Sequence, residues 1–420
     1  MAEKRFEEER KALAEELEIW IELLKSNSGT DVEMAEICRQ KEAKYQQILI
    51  KGITVALDEA RRLETAYRTL DSFFRNAGTD YIDNLTLVNA NRWDIVDCVL
   101  SEFDKDVGQL LENSFERIDL KNSYSLLVIP DLFCEDSSFY CMLKWAGIAF
   151  KYKALLITDH ADETNFEDLY VNTANYCYSD HAFQNVVMTA NWIVGRNSEM
   201  LSEFEKESPA FFIPSSAALA GRIYAESANI EGVLNNRGYH VLNETKGVHI
   251  DLLKSEIASL MDNQVVPMAF LNGRVVACND SNLYNGCNYA VNTYPIVLFL
   301  NWLQKELIQI VNSEARQDRY DWDTPDYIKD KIRGFLLPYY KDRKIFETFV
   351  IENSSYTSEE TNYTFEIGLT IAKDLSRSYS SMEQNIQHYP SFKIRVTYCK
   401  RNLLKCMTEI VEFNYKPKTM

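Results

Sequence analysis

The most regular pattern in the chain is an alternation near its C-terminus. Tyr363, Phe365, Ile367, Leu369 and Ile371 stand at every second position with Thr, Glu, Gly and Thr between them. Phe392, Ile394, Val396 and Tyr398 repeat the pattern against Lys, Arg and Thr. A period of two predicts strands with one buried and one wet face. A third strand is predicted over Met407–Phe413, including Val411 and Phe413, just before a basic tail, Tyr415-Lys416-Pro417-Lys418. At least one strand of such a sheet is an edge, whose unpaired backbone can accept a further strand.

Upstream the apolar positions come in short unbroken runs. YSLLVIPD, Tyr124–Asp131, reads as a buried strand closed by Pro130. A helix follows over Phe139–Tyr152, then a second run, Ala154–Thr158, which makes one βαβ unit. Further strands are predicted at Leu85–Ala90, before a helix at Trp93–Phe115, and at Val186–Val194. Phe211–Pro214 leads into a helix that Ser215 or Ser216 can cap, and the small residues of SSAALAG let that helix approach a neighbouring backbone. GYHVLNETKGVHI reads as strand, turn, strand. Asn272-Gly273 between Val265–Leu271 and Arg274–Cys278 marks a two-residue hairpin, because both residues tolerate positive φ. Pro295 opens an apolar helix to Asn312, and Thr324 caps another that turns Ile328, Ile332, Phe335 and Leu336 inward.

The N-terminal part is helical. Residues 1–25 carry Phe6, Leu13, Leu17, Trp20, Ile21 and Leu24 as a narrow apolar stripe, and Ser26–Gly29 breaks the helix, so this segment reads either as a hinged arm or as a helix folded on its own domain. Thr30 and Glu33 have capping-box spacing, and a helical region then runs to Phe74, with Leu63, Tyr67, Leu70 and Phe74 on one face and Gly78 as its stop. The fold class is therefore α/β (α+β). Its expected parts are an arm (1–29), a helical entry (30–80), a mixed-sheet α/β core (81–235) and a C-terminal α+β domain (236–420).

The formal net charge of -18 argues against a nucleic-acid surface, which needs clustered Lys and Arg. An N-terminus of MAEKRFEEERK is too charged for a signal peptide, and the longest apolar run, near Pro295–Leu300, is too short to span a bilayer, so a cytoplasmic protein without direct membrane insertion is expected. Nine cysteines without a CxxC pair fit reduced thiols packed as small hydrophobes.

The sequence contains no phosphate-cradling loop, nucleophile elbow or HExxH helix. Ligands of open α/β sheets bind beyond the carboxyl ends of the strands, which singles out Asp131, Asp159, His160 and Asp162, with His181 a further candidate. If they converged they would make an acid/base or metal centre, and the alternative function is a metal-dependent hydrolase. Asp and His are also common where loops begin, and no catalytic residue, cofactor or metal is expected.

IPSSAALAGRIYAES (Ile213–Ser227), LNNRGYHVLN (Leu234–Asn243) and NGRVVACND (Asn272–Asp280), followed by the two C-terminal helices and the terminal strands, resemble the contractile tail sheath family. With LETAYRTLDSFF upstream, the chain from about Ala60 to Tyr415 resembles the large sheath subunit of type VI secretion systems (TssC/VipB-like). It departs from phage sheaths where GRVVACND replaces a Trp-Gly-Ala-Arg-type strand, which marks a divergent branch. The resemblance implies a structural subunit that polymerises with a small sheath subunit (TssB-like) and copies of itself around an inner tube (Hcp-like), on a baseplate, and contracts. It also implies strand exchange between neighbours, assigned to Phe365, Ile367, Leu369, Phe392, Ile394, Val396, Tyr398, Val411 and Phe413. Recognition of an N-terminal helix by a AAA+ disassembly ATPase (ClpV-like) is assigned to Leu13, Leu17, Trp20, Ile21 and Leu24.

Overall fold

The computed structural model describes residues 60–79, 124–133, 139–174, 178–196, 211–227, 239–243, 245–286, 291–315, 324–357, 362–371, 391–399 and 406–413, with a few single residues besides. The N-terminal stripe of Leu13, Leu17, Trp20, Ile21 and Leu24, the capping box at Thr30 and the helix expected at Trp93–Phe115 lie outside the described residues. Of the strand expected at Leu85–Ala90, residues 85–87 are described and carry no strand.

The chain divides into two compact units, Met1–Tyr67 and Arg68–Met420. In the first, residues 60–67 are helical, and Leu63 and Tyr67 are exposed. The second opens on α1 (residues 68–77), which stops at Gly78 with φ 69°. Then come β1 (Leu126–Phe133), α2 (Phe139–Lys151), β2 (Leu155–His160), α3 (Phe166–Thr173), β3 (Val186–Ala190), β4 (Ile193–Arg196), β5 (Phe211–Ile213) and α4 (Ser216–Ser227). They are followed by β6 (His240–Val241), α5 (Lys254–Asp262), β7 (Val266–Leu271), β8 (Arg274–Ala277), α6 (Tyr294–Ala315) and α7 (Thr324–Lys341). The last elements are β9 (Phe346–Thr357), β10 (Asn362–Ile371), β11 (Ser391–Cys399) and β12 (Met407–Phe413).

The core sheet has the order β1-β2-β3-β7-β8-β6. Its first four strands run parallel, and β8 and β6 are antiparallel additions, so the sheet is mixed, as expected. The strands β2 and β3 are buried at every position, which is why they read as continuous apolar runs rather than alternations. The sheet draws β6, β7 and β8 from beyond residue 236.

Two strands differ from expectation. Pro130 does not close β1: the strand runs on to Phe133 through a register shift, with Asp131 at φ 53°. Proline removes one ladder hydrogen bond and is tolerated where a bulge leaves that position unpaired. The run Val186–Val194 splits into β3 and β4 at Asn191, φ 78°, whose amide donates to Ile250 O and Met268 O and whose oxygen accepts from Ile250 N–H. Among the described residues of GYHVLNETKGVHI only β6 is a strand, and Val248 makes a single bridge to Ile193. The hairpin forms as the sequence indicates, with Asn272 at φ 52° and Gly273 at φ 78°.

The helix α4 meets α1 without spacing side chains. A Cβ on Gly221 would lie 2.2 Å from Phe73 O. The buried face of α1 is Thr69, Ser72, Phe73, Asn76 and Ala77, one position displaced from the Leu70/Phe74 stripe.

The C-terminal strands form a second sheet in the order β12-β11-β10-β9, antiparallel throughout. Tyr363, Phe365, Ile367, Leu369 and Ile371, with Phe392, Ile394, Val396 and Tyr398, are buried as the alternation predicts. Phe346 joins this sheet to α6 and α7 through Phe299 and Tyr339, and Thr408 donates to Gln304 O. Ile328, Ile332 and Leu336 of α7 are fully buried, and Phe335 packs partly buried against the same core.

Candidate functional site

Asp159, near the end of β2, is wholly buried, and donors surround it. Its Oδ1 accepts from Thr189 Oγ1 at 2.6 Å, Ser216 N at 2.7 Å and Ser215 Oγ at 3.3 Å, and its Oδ2 accepts from Asp131 N at 3.3 Å. The Ser216 amide is the first of α4, so the carboxylate caps that helix from a neighbouring strand, where the helix dipole favours negative charge. This corrects the expected cap: Ser215 Oγ reaches Asp159, Thr189 Oγ1 and Asn191 O instead of an amide of its own helix. Burial raises the Asp159 carboxyl above the ordinary carboxylate range, and the hydrogen bonds from Ser216, Thr189 and the Asp131 amide pull against that shift.

Of the other expected residues, His160, Asp162 and His181 are placed apart. His160 is buried, with Nε2 3.4 Å from Glu163 Oε1, and its carbonyl accepts from Trp192 Nε1. Burial lowers its pKa, and Glu163 opposes the shift. Asp162 pairs with His249 Nδ1 at 2.7 Å, and Phe212 stacks on that imidazole at 4.0 Å. Burial raises the Asp162 carboxyl, against the pull of His249. His181 precedes β3 and so lies toward the opposite end of the parallel strands, stacked between Tyr284 and Phe413. Among the described residues no group of three or more His, Cys, Asp or Glu is placed to hold a metal ion. Asp131 contributes its backbone N–H and a left-handed turn to the Asp159 cluster. The cluster ties β1, β2, β3 and α4 together.

Sequence reasoning missed two polar features whose members lie far apart in the chain. Glu226 on α4 binds Arg222 Nε at 2.7 Å and reaches His240 Nδ1 of β6, whose Nε2 is 2.8 Å from Tyr294 Oη at the start of α6. Burial, with Asp280 and Glu226 nearby, pushes the Tyr294 hydroxyl well above its ordinary pKa, so it stays a neutral phenol rather than a nucleophile. Lys305 Nζ donates to Tyr124 O at 2.8 Å, and burial, reinforced by Lys153, lowers its pKa to about 7. Lys153 is lowered by burial to about 8, with Glu409 opposing.

On the C-terminal sheet, β10 and β11 are central and hydrogen-bonded on both sides. The expected edge residues Phe365, Ile367, Leu369, Phe392, Ile394, Val396 and Tyr398 therefore stand in the middle of the sheet with their side chains in the core. Alternation reports which face a residue occupies and not which strand lies beside it. Val411 and Phe413 do lie on an outer strand, β12, and β9 is the other. The wet face carries an ion-pair row in which Glu366 binds Lys393 at 2.6 Å and Arg395 at 3.1 Å, and Arg395 reaches Glu409 at 2.9 Å. The Lys393 hydrogen bond holds the Glu366 carboxyl below its ordinary pKa.

Residues 55–285 match the family model "Type VI secretion system TssC/VipB, central domain", more than half of the chain. No curated protein matches. Among solved structures, the chain is similar to one in the baseplate of the anti-feeding prophage, at 13% identity, 77% of this chain and 81% of that chain, TM-score 0.49. It is similar also to the contracted helical sheath of the same prophage (14%, 76% and 82%, TM-score 0.48). A third is the sheath tail protein of Desulfitobacterium hafniense (10%, 69% and 60%, TM-score 0.42).

Proposed function

The chain belongs to the TssC/VipB family of the type VI secretion system, a structural sheath subunit and not an enzyme, and from that premise we propose that it co-polymerises with a small sheath subunit. The polymer is a helical tube around an inner tube, anchored on a baseplate, whose contraction drives the inner tube outward. The match over residues 55–285 carries this reading. The saturated Asp159 cluster supports it, since a carboxylate already accepting four hydrogen bonds is a poor general base. Neighbouring subunits join by strand addition at the outer strands of the C-terminal sheet, β12 with Val411 and Phe413, and β9. Backbone pairing of this kind survives rigid-body rotation between subunits. Leu13, Leu17, Trp20, Ile21 and Leu24 form the contact that a disassembly ATPase reads.

Negative-stain electron microscopy of this chain, alone and co-expressed with the product of the adjacent gene, tests the reading. Hollow ridged tubes that require the second protein are expected. Discrete particles in both samples would overturn it.

A further inference from the structure

Cys399 is the last residue of β11 and Cys406 immediately precedes β12, so the two flank residues 400–405. Cys399 is buried and Cys406 half-buried. The sulfur of Cys406 accepts the Cys399 N–H at 3.3 Å, and its thiol lies 3.8 Å from the Cys399 carbonyl oxygen. These contacts set the Cys406 sulfur against the backbone of Cys399. The β11–β12 ladder pairs Thr397 with Met407, which sets Cys406 opposite Tyr398 and one position from Cys399, and neighbouring positions across an antiparallel pair fall within the Cα span of a disulfide, about 4.4–6.8 Å. Burial raises the Cys406 thiol pKa, the Cys399 N–H opposes the shift, and the nearby Cys399 thiol adds to it.

The geometry points to Cys399 and Cys406 as a redox pair, a dithiol that closes to an intramolecular disulfide and clamps β12 onto β11. The oxidant is an external disulfide of the glutathione type. The more exposed Cys406 thiol loses its proton, and its thiolate attacks one sulfur of the oxidant, forming a mixed disulfide and releasing one thiolate. The Cys399 thiolate then attacks Cys406 Sγ, forming the internal bond and expelling the second thiolate. Two protein thiols are oxidised, one external disulfide is reduced, and the two protons lost by the protein thiols end on the two released thiolates, giving two external thiols. The raised Cys406 thiol pKa makes this exchange slow at neutral pH and faster in mild alkali.

The test uses the full chain, incubated with oxidised glutathione in mild alkali, alkylated, and digested with trypsin without reduction. Cleavage at Lys400 and Lys405 places the two cysteines on separate peptides, Val396–Lys400 and Cys406–Lys418, so the internal bond appears directly as a linked pair. The expected result is that this pair is the main oxidised product and that Cys399→Ser leaves Cys406 as a glutathione mixed disulfide. Amide exchange over Met407–Phe413 should also slow several-fold on oxidation and recover on reduction. Accumulation of the Cys406 mixed disulfide in the unsubstituted protein, or linkage of Cys406 to Cys278 as often as to Cys399, would overturn the assignment. So would unchanged exchange in β12 once the internal bond has formed.

Discussion

Gly221 is where α4 comes closest to α1, and a methyl group there has no space, since the atom it meets is the backbone oxygen of Phe73. Gly221→Ala is expected to destabilise the fold by about 1–3 kcal/mol, read as a lower urea midpoint. Asp159→Ala removes the acceptor from two backbone amides and two hydroxyls and should cost about 3 kcal/mol or more, with Asp159→Asn costing less because its amide keeps one acceptor oxygen. A cost equal to that of an exposed Asp→Ala change would refute the capping role. For Lys305 the sign follows from a folded pKa of about 7 against an ordinary 10.5. The fold favours the neutral amine, so the penalty is absent above 10.5, grows as pH falls toward 7 and is constant below. Urea midpoints across that range should show Lys305→Met gaining stability relative to the unsubstituted protein as pH falls, with a constant offset for the lost Tyr124 hydrogen bond. Asn272-Gly273 was legible because its turn chemistry is local. Asp159 was legible as a residue at a strand end, but not as a cap, because its donors come from positions 131, 189, 215 and 216.

At the scale of elements the alternating strands β10 and β11 declared their buried faces, and the parallel strands declared theirs by having no polar face. The break at Asn191 and the continuation of β1 past Pro130 were hidden, since both depend on partners distant in the chain, Ile250 and Met268 for one and β2 for the other. Sheet order was hidden for the same reason, and it makes β12 and β9, not β10 and β11, the outer strands of that sheet. A chain ending at residue 405 lacks β12 and should keep the six-stranded core, seen as slow amide exchange in β2 and β3. If the proposed joining by β12 holds, it should fail to form tubes when co-expressed with the product of the adjacent gene. Tubes of normal yield from this variant would remove β12 from the joining surface. Arg395→Ala should cost about 1 kcal/mol or less, because Arg395 and Glu409 are open to water and Lys393 still pairs Glu366.

For the molecule as a whole, deleting residues 1–25 is expected to leave tube formation intact while abolishing ATPase-driven disassembly, measured by light scattering on contracted sheaths. Disassembly at an unchanged rate would reject the proposed contact. The two sheets also differ in how the chain enters them. In the core, β3 pairs with β7 across 77 residues, Thr189 against Val266, so its closure waits on long crossovers. In the C-terminal sheet, spatial order equals chain order, each strand lying beside the one just before it. This sheet can grow outward one hairpin at a time, with no strand inserted between two others. Among the described strands β12 is thus both the last in sequence and the outermost of its sheet, and it can detach and return while every other strand pairing holds. A mechanical load on the C-terminal tail reaches β12 before any other strand.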